Sequence, residues 1–396
     1  MSSSQNSKLY QTRQAGMSLV ELMVAITLGL FLSYGAVQSF LSGKKAYGMQ
    51  EAMSRIQETG RLAQEFIGYD IRRAGDYGCN SGDAFAASAA DDVTTACTGF
   101  NMLNSPSDNR YNFSYAVYGI DNFSGTAPNY LNNPAPVAGT DILVVHVAQD
   151  IGVTTAAVPA TALGTVNLDT GIGLAASNIV SIGSCAGMRI FQVSAATAAV
   201  PGSITAGGST PGNRCANTNI ALPQASQVRV LDTYFYYVGI NSTTNRRSLY
   251  RQTLSHAQLA SPTGSDELLE GVEDMQLMFG LDSDGDKVIN SWVTPTSANI
   301  SNAAWNDWDV GYCTNGGALT TCTASPDTNH DQTKAVRAVR FSLLVASADP
   351  VLDAEQKYSY DGNTYYGGNA TAGSGDKRLR QIFTSTVAIR SMQQTQ

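Results

Sequence analysis

The chain has 396 residues, and its 43% of apolar residues are enough to form a substantial folded core. Only 14% of the residues are charged and the formal net charge is −8, which disfavours non-specific binding to DNA or to anionic lipid. Gly, Ala, Ser, Thr and Asn are abundant, a composition that favours a loop-rich, extracytoplasmic β protein over a cytosolic enzyme.

The N-terminus consists of a short polar leader, residues 1–16, followed by a long apolar segment, residues 17–41. A helix of that length measures about 37 Å, which is enough to cross the ~30 Å hydrocarbon core of a membrane. A secretory signal peptide is cut after its apolar stretch, whereas this basic leader ends at Gly16, before the stretch begins. We therefore expect cleavage between Gly16 and Met17, with the apolar helix retained in the mature chain.

Glu21 is the only charged residue of the apolar segment. An isolated carboxylate in hydrocarbon costs several kcal/mol, so it must be protonated or paired. Cleavage after Gly16 frees the α-amine of Met17, and in a bundle of staggered helices Glu21 of one subunit can pair with the amine of its neighbour. We expect this pair to set an assembly register. The alternative is a plain membrane anchor whose Glu21 carboxylate reaches the headgroup region.

A second helical segment, residues 42–75, continues the first without a proline. Its apolar and small residues recur at steps of three, four or seven, at Met49, Met53, Ile56, Gly60, Ala63, Ile67 and Ala74. This stripe predicts an amphipathic helix that packs on a globular domain.

The remaining residues, 76–396, carry the pattern of a β-rich ectodomain. Seven segments predict strands, and they cover residues 141–148, 188–194, 228–238, 248–252, 272–281, 336–346 and 379–389. Strands and helices do not alternate regularly, so an antiparallel sheet is favoured over a parallel, doubly wound one. An insertion at about 150–227 is poor in charge and rich in Ala, Thr, Gly and Ser, which predicts extended loops or a small inserted subdomain.

Six cysteines follow one another as three neighbouring pairs, Cys79 with Cys97, Cys185 with Cys215, and Cys313 with Cys322. An even number without a Cys-x-x-Cys motif indicates disulfides rather than a zinc site. Sequential pairing is the simplest of the connectivities that the sequence leaves open. Disulfides would place the ectodomain in an oxidising compartment, the periplasm or the cell surface.

An acidic loop is a candidate Ca²⁺ site. Its oxygen donors occupy alternate positions, with the side chains of Asp282, Asp284, Asp286 and Asn290 and the carbonyl of Val288. The loop departs from the EF-hand, since its glycine is at position 4, a lysine is at position 6 and no glutamate is at position 12. It resembles thrombospondin-like calcium repeats instead. The alternative is a solvated, Asx-rich turn between two strands.

No signature of an enzyme is present in the sequence. The three histidines, His146, His256 and His330, are scattered, and no nucleophile elbow, Walker A motif or dinucleotide fingerprint occurs. His146 lies in a predicted strand, where a core role is more common than that of a base. The aromatic residues Tyr234–Tyr237 predict one core face and one surface face of a strand. A DNA-uptake role would need a basic groove, and the overall negative charge argues against one while leaving room for a local basic patch around Arg246, Arg247 and Arg251.

These features together resemble the PilW-type minor pilins of type IV pili. Gly16 matches the last leader residue of the class III prepilin signal. Met17 matches the first residue of the mature chain, which is N-methylated in that family, and Glu21 matches the fifth residue of the mature chain. Four further blocks are similar in order and character to that family, at Ile67–Cys79, Leu268–Asp286, Val336–Ser347 and Arg378–Ser391. Major pilins have prolines in the equivalent helix, and this chain has none there.

The resemblance implies an α+β, pilin-like fold, in which a long N-terminal helix with a transmembrane half and an amphipathic half packs on an antiparallel β-sheet ectodomain with loop insertions. It implies a low-abundance, non-enzymatic subunit of the inner membrane, with a periplasmic ectodomain, that joins the fibre tip and initiates pilus assembly. Its partners would be other minor pilins, the major pilin, prepilin peptidase and the assembly machinery, with no nucleic acid and no required cofactor. The alternatives are a minor pseudopilin of a type II secretion system and a tip adhesin.

We predict that Ca²⁺ raises the melting temperature of the ectodomain, because an ion that binds only the folded loop stabilises the folded state. Asp284→Ala should abolish the rise by removing one ligand. Thermal melting in calcium and in chelator checks this, and identical curves for the unsubstituted ectodomain would refute the site.

Overall fold

The computed structural model shows one long helix followed by β structure. The residues it describes are 16–78, 103, 110–111, 113, 116–124, 127, 129–131, 133–156, 165–184, 187–198, 201–207, 212–213, 225–254, 265–282, 288–295, 310–312 and 335–389. The helix α1 spans Leu19–Arg73, and a single 3-10 turn spans Asn129–Leu131.

Strands occupy most of the described chain after residue 116. They are β1 Val117–Ile120, β2 Ile142–Thr154, β3 Thr165–Leu168, β4 Ile179–Ser184, β5 Gly187–Thr197, β6 Gly202–Ala206, β7 Gln227–Ile240 and β8 Arg247–Leu254. They continue with β9 Asp266–Glu270, β10 Val272–Asp282, β11 Ser291–Val293, β12 Val310–Tyr312, β13 Ala335–Pro350, β14 Lys357–Tyr360, β15 Asn363–Tyr366 and β16 Arg378–Ala388. The seven predicted strands are all present, as β2, β5, β7, β8, β10, β13 and β16.

The strands form two larger sheets and one hairpin. The large sheet has the order β12-β1-β2-β7-β4-β5-β6-β3, and β8 and β9 join it through β7. The small sheet has the order β11-β10-β13-β16, and β14 pairs with β15. Pairing between the described strands is antiparallel except for β1 with β12, which is parallel. The predicted α+β, pilin-like fold is confirmed.

The chain divides into two compact units within α1, one up to Ala52 and the other from Met53 onward. In the second unit, the predicted stripe is buried from Ile56 to Ala74 and forms one core with residues of both larger sheets. Met49 and Met53, which belong to the same predicted stripe, are instead 43% and 37% exposed. The core-facing part of the helix therefore begins at Ile56.

Buried Asp141 connects the large sheet to the small one. Its carboxylate accepts a hydrogen bond of 2.8 Å from the backbone N–H of Asn122 and one of 2.7 Å from that of Leu277 in β10. Burial raises the pKa of Asp141 well above its usual range, against the effect of these two bonds. The backbone of two separate segments is thus fixed by one side chain.

Strand β7 is buried on both faces, and the predicted surface face of Tyr234–Tyr237 is wrong. Tyr236 belongs to the core beneath α1. Phe235 and Tyr237 belong to a second core, which is closed by residues near the 3-10 turn, including Phe123 and Tyr130. Alternation along one strand indicates that two faces exist but not what covers each of them.

The insertion at about 150–227 extends the large sheet. Its described residues include β3, β4 and β6, and β4 pairs directly with the first part of β7. These strands enclose a core of their own, with Val166, Ile182 and Phe191 among its fully buried residues. The described insertion is therefore sheet with its own packing rather than extended loop.

A glycine allows α1 to approach β16 closely. A Cβ atom at Gly60 would lie 2.5 Å from the ring of Phe383, a separation that real Cβ contacts do not show. At Gly48, earlier in the same helix, a Cβ atom would meet nothing within 4 Å.

We predict that Gly60→Ala lowers the free energy of unfolding by about 1–3 kcal/mol, because the new methyl group forces helix and sheet apart. Gly48→Ala is the matched control, and its higher helix propensity should leave stability unchanged or raise it by up to ~1 kcal/mol. Urea denaturation of both variants checks this. Equal stabilities for the two variants would contradict the close packing.

Candidate functional site

The N-terminal part of α1 is an apolar surface that its own compact unit leaves uncovered. Exposed side chains include Leu19, Val20, Leu28, Leu30, Phe31 at 81% and Leu32 at 76%. By length and composition this helix can cross a membrane. The hydroxyl of Thr27 donates to the carbonyl of Val24 at 2.9 Å, so its proton is satisfied within the helix. Such a surface is suited to lipid surroundings or to contact with another apolar surface.

The residues predicted for cleavage and assembly lie together at the start of this helix. Gly16 and Met17 are exposed and precede α1, and a Cβ atom at Gly16 would meet nothing within 4 Å. Glu21 is exposed in the first turn. A carboxylate in this position also interacts favourably with the unpaired N–H groups at the helix N-terminus.

A helix-start signal accompanies these residues, and the sequence analysis missed it. Ser18 immediately precedes α1, and its carbonyl accepts a hydrogen bond of 3.1 Å from the N–H of Leu22. Ser18 and Glu21 have the spacing of a capping box, in which Ser and Glu satisfy the first free N–H groups. The spacing therefore suits Glu21 to beginning the helix.

A buried carboxylate fixes the C-terminal end of α1 to the large sheet. Asp70 is 3% exposed and accepts a short hydrogen bond from the hydroxyl of Tyr236 in β7. Arg251 of β8 approaches the same carboxylate to 3.7 Å, and Arg73 of the helix to 4.0 Å. The guanidinium of Arg251 also lies 5.1 Å from the ring centroid of Tyr234. Helix and sheet thus share one polar cluster within an apolar core.

The electrostatics of this cluster follow from burial. Removal from water raises the pKa of Asp70, and the hydrogen bond from Tyr236 and the charges of Arg251 and Arg73 oppose that shift. Burial and the adjacent carboxylate also raise the pKa of Tyr236, so its phenol stays a donor across the physiological range. Asp70 lies in the block Ile67–Cys79, but nothing local in the sequence identifies its partner.

The candidate calcium loop is only partly described. Asp282 ends β10 fully buried, and its Oδ2 accepts hydrogen bonds from Nε and Nη2 of Arg337 at 3.0 and 2.8 Å. The N–H of Asn290 donates to the carbonyl of Leu281 at 2.8 Å, which draws the two ends of the loop together. Val288 is 58% exposed. Asp284 and Asp286 lie outside the described residues, and within those residues no cluster of three or more His, Cys, Asp or Glu side chains is suited to a metal.

The ion pair with Arg337 bears on the calcium prediction. A carboxylate oxygen that already accepts two hydrogen bonds from a guanidinium is a poorer ligand for a cation. Asp282 would have to share or exchange Arg337 to bind calcium. The site stays a prediction.

All six cysteines lie outside the described residues, so the disulfides also stay a prediction. His256 and His330 lie outside them as well. His146 is fully buried, with Phe113 and Tyr118 ring centroids 4.7 and 5.4 Å away, which confirms a core role.

The three arginines of the suspected basic patch have partners within the chain. Arg246 pairs with Glu270 at 2.8 Å, Arg247 donates to the carbonyl of Glu273 at 2.8 Å, and Arg251 faces Asp70. Two of these three charges are therefore balanced by carboxylates of the chain. The arrangement gives no basis for a groove that follows a nucleic-acid backbone.

Comparisons with known proteins give two matches to family models. Residues 235–391 match the model described as type IV pilus-assembly protein W, and residues 11–36 match the prokaryotic N-terminal methylation motif. No curated protein and no solved structure matches the chain. The first match covers β8–β16 and part of β7, and the second covers the candidate cleavage site and the start of α1.

We predict that Asp70→Asn lowers the free energy of unfolding by about 1–3 kcal/mol, because Arg251 and Arg73 lose their shared counter-charge. The value lies below the ~3–5 kcal/mol of a fully buried pair, since both arginine side chains are about a third exposed. Asp76→Asn, which removes an exposed partner of Arg229, is the control and should cost less than about 1 kcal/mol. Urea denaturation that finds the two variants equal would contradict the role given to Asp70.

Proposed function

We propose that this chain acts as a minor pilin that prepilin peptidase cuts after Gly16 and that initiates assembly at the tip of a type IV pilus, and the family matches at residues 235–391 and 11–36 support this. One observation carries the proposal. A helix with an uncovered apolar surface and one acid in its first turn is continuous with a helix that is packed into a folded β body. Polymerisation through a helix requires both properties.

Processing explains the order of the N-terminal residues. Cleavage after the exposed Gly16 removes a polar leader containing Lys8 and Arg13 and changes the formal charge of the chain from −8 to −10. The new first residue, Met17, is the one that the methylation motif implies is N-methylated. The apolar helix is retained, because the cut precedes it.

Glu21 gives assembly a register. Within its own unit this side chain is exposed among exposed apolar residues, so packing against other apolar helices would remove it from water. A carboxylate in that situation costs several kcal/mol unless a positive group meets it. The α-amine of Met17 on a neighbouring subunit is a suitable group, and only one stagger between helices brings the two together. Apolar contacts between the helices then supply the binding affinity, and the ion pair fixes the stagger of one helix relative to its neighbour.

The proposal also covers location and partners. The precursor would span the inner membrane once with residues 17–41, with its ectodomain in the periplasm, and would leave the membrane as part of the fibre. Its partners would be other minor pilins, the major pilin, prepilin peptidase and the assembly machinery. The family match at residues 235–391 concerns pilus assembly, which favours this reading over a secretion pseudopilin. The family that matches residues 235–391 is one of pilus structure and assembly.

We predict that Gly16→Val blocks processing, whereas Glu21→Ala leaves processing intact and lowers incorporation into sheared fibres more than about tenfold. A tenfold loss corresponds to ~1.4 kcal/mol, which is less than an unmatched buried charge costs. Glu58→Ala, which removes an exposed glutamate further along α1, is the matched control and should incorporate normally.

Gel mobility with and without prepilin peptidase measures processing, and immunoblots of the fibre fraction measure incorporation. Wild-type protein with the same mobility in both backgrounds would refute cleavage. Normal incorporation of Glu21→Ala would refute the register.

A further inference from the structure

The small sheet has one face in the main core and another face that carries polar and mixed side chains. Leu277, Phe279, Phe341 and Leu343 belong to the core. Strand alternation places the residues between them on the opposite face. Three rows of paired residues run across β10, β13 and β16 on that face. The first row is Gly280, Ala338 and Ala388, the second is Met278, Arg340 and Thr386, and the third is Gln276, Ser342 and Thr384. Trp292 of β11 pairs with Gly280.

Arg340 is held in place on this face. Its guanidinium carbon lies 3.8 Å from the ring centroid of Trp292, and its Nε donates to Oγ1 of Thr386 at 3.2 Å. The indole lies close to β10 because Gly280 has no side chain: a Cβ atom there would come within 3.0 Å of its Cη2. One face of the guanidinium and its Nε are thus engaged, and within the described part of the chain neither Nη group has a hydrogen-bond partner.

Arg340 is also the only arginine of the small sheet that faces no carboxylate among the described residues. Arg337 pairs with Asp282 at 2.8 Å, and Arg378 and Arg380 each pair with Glu273 at 2.6 Å. None of the described residues in the three rows is acidic. In a chain with a net charge of −8, a held cation without a counter-charge among the described residues is complementary to an anion from outside.

The surroundings of Arg340 are those of a protein interface. The hydroxyls of Ser342 and Thr384 lie 2.9 Å apart, Thr384 and Thr386 are exposed, and Ile382 at the border is 37% exposed. Aromatic residues, Met and Arg are enriched in interfaces, whereas Lys, Asp and Glu are depleted. The guanidinium covers one side of the Trp292 ring, which makes that side inaccessible for stacking on a sugar.

We propose that this surface, which we name the Arg340 face and define by Arg340, Trp292, Met278, Thr386, Ser342 and Thr384, docks an acidic side chain of a partner protein. The planar carboxylate of Asp or Glu accepts two parallel hydrogen bonds from the outer edge of the guanidinium, and the neighbouring hydroxyls donate further ones. The Arg340 face belongs to the folded body, so this docking is independent of the apolar helix and of the pilus role.

The test uses the full chain in a non-ionic detergent at low salt. The probe is a fluorescein-labelled Gly/Ser peptide with four aspartates, and the comparison peptide has asparagines in their place. Fluorescence anisotropy should show binding of the aspartate peptide only. Arg340→Gln should weaken it at least about tenfold, whereas Lys357→Gln, which removes an exposed cation elsewhere, should change it less than about twofold.

Two further variants keep the test informative if Arg340→Gln melts early. Arg340→Lys keeps the positive charge but removes the planar guanidinium that donates two parallel hydrogen bonds. Thr386→Val keeps Arg340 but removes the hydroxyl that accepts the hydrogen bond from its Nε. Each variant should weaken binding several-fold. Equal binding of the two peptides, or equal losses for Arg340→Gln and Lys357→Gln, would overturn the proposal. Binding of polygalacturonate without binding of the aspartate peptide would overturn the assignment to a protein partner.

Discussion

The structure depends on fixing one face of α1 against two sheets simultaneously. On one side, Gly60 lies so close to Phe383 that no larger residue fits without displacement. On the other side, Asp70 brings Tyr236 and Arg251 of the large sheet to the helix. Apolar packing alone would permit the helix to rotate or slide, because dispersion contacts have little direction. The buried carboxylate removes that freedom, since only one helix rotation satisfies it.

The same helix therefore meets two different requirements along its length. From Ile56 onward, its apolar residues are buried by the chain itself, and its buried acid has partners in the chain. Before Ala52, apolar residues and Glu21 are exposed, which suits this part of the helix to lipid or to another apolar surface. Burying that surface is worth roughly 25 cal/mol per Å², which makes it a strong but non-specific driving force. Specificity has to come from polar groups, and Glu21 is the only charged residue between Met17 and Leu41.

Local patterns in the sequence predicted most of the helix and the longer strands. The apolar alternation of Val336–Ala346 and the small-residue steps through Gly60 are visible without knowing any partner. The short strands β9, β14 and β15 escaped prediction because segments such as Lys357–Tyr360 and Asn363–Tyr366 are polar and aromatic without a clear core face. Contacts between residues far apart in the sequence were not predicted for a different reason. Asp70 and Tyr236 are 166 positions apart, and no local pattern connects them.

Strand β7 explains how the insertion coexists with the rest of the fold. Along one edge it pairs with β2, and its other edge is divided: residues up to Leu231 pair with β4, whereas those from Thr233 pair with β8. The contact that fixes α1, at Tyr236, lies in the part paired with β8. Strands β3 to β6 have a separate core and join the sheet through the first part of β7, and β4 and β5 also pack on Tyr77, which lies just after α1. The polar cluster of Asp70 and the small sheet lie beyond the division, so changes in the inserted strands that keep the packing on Tyr77 leave both sets of helix contacts in place.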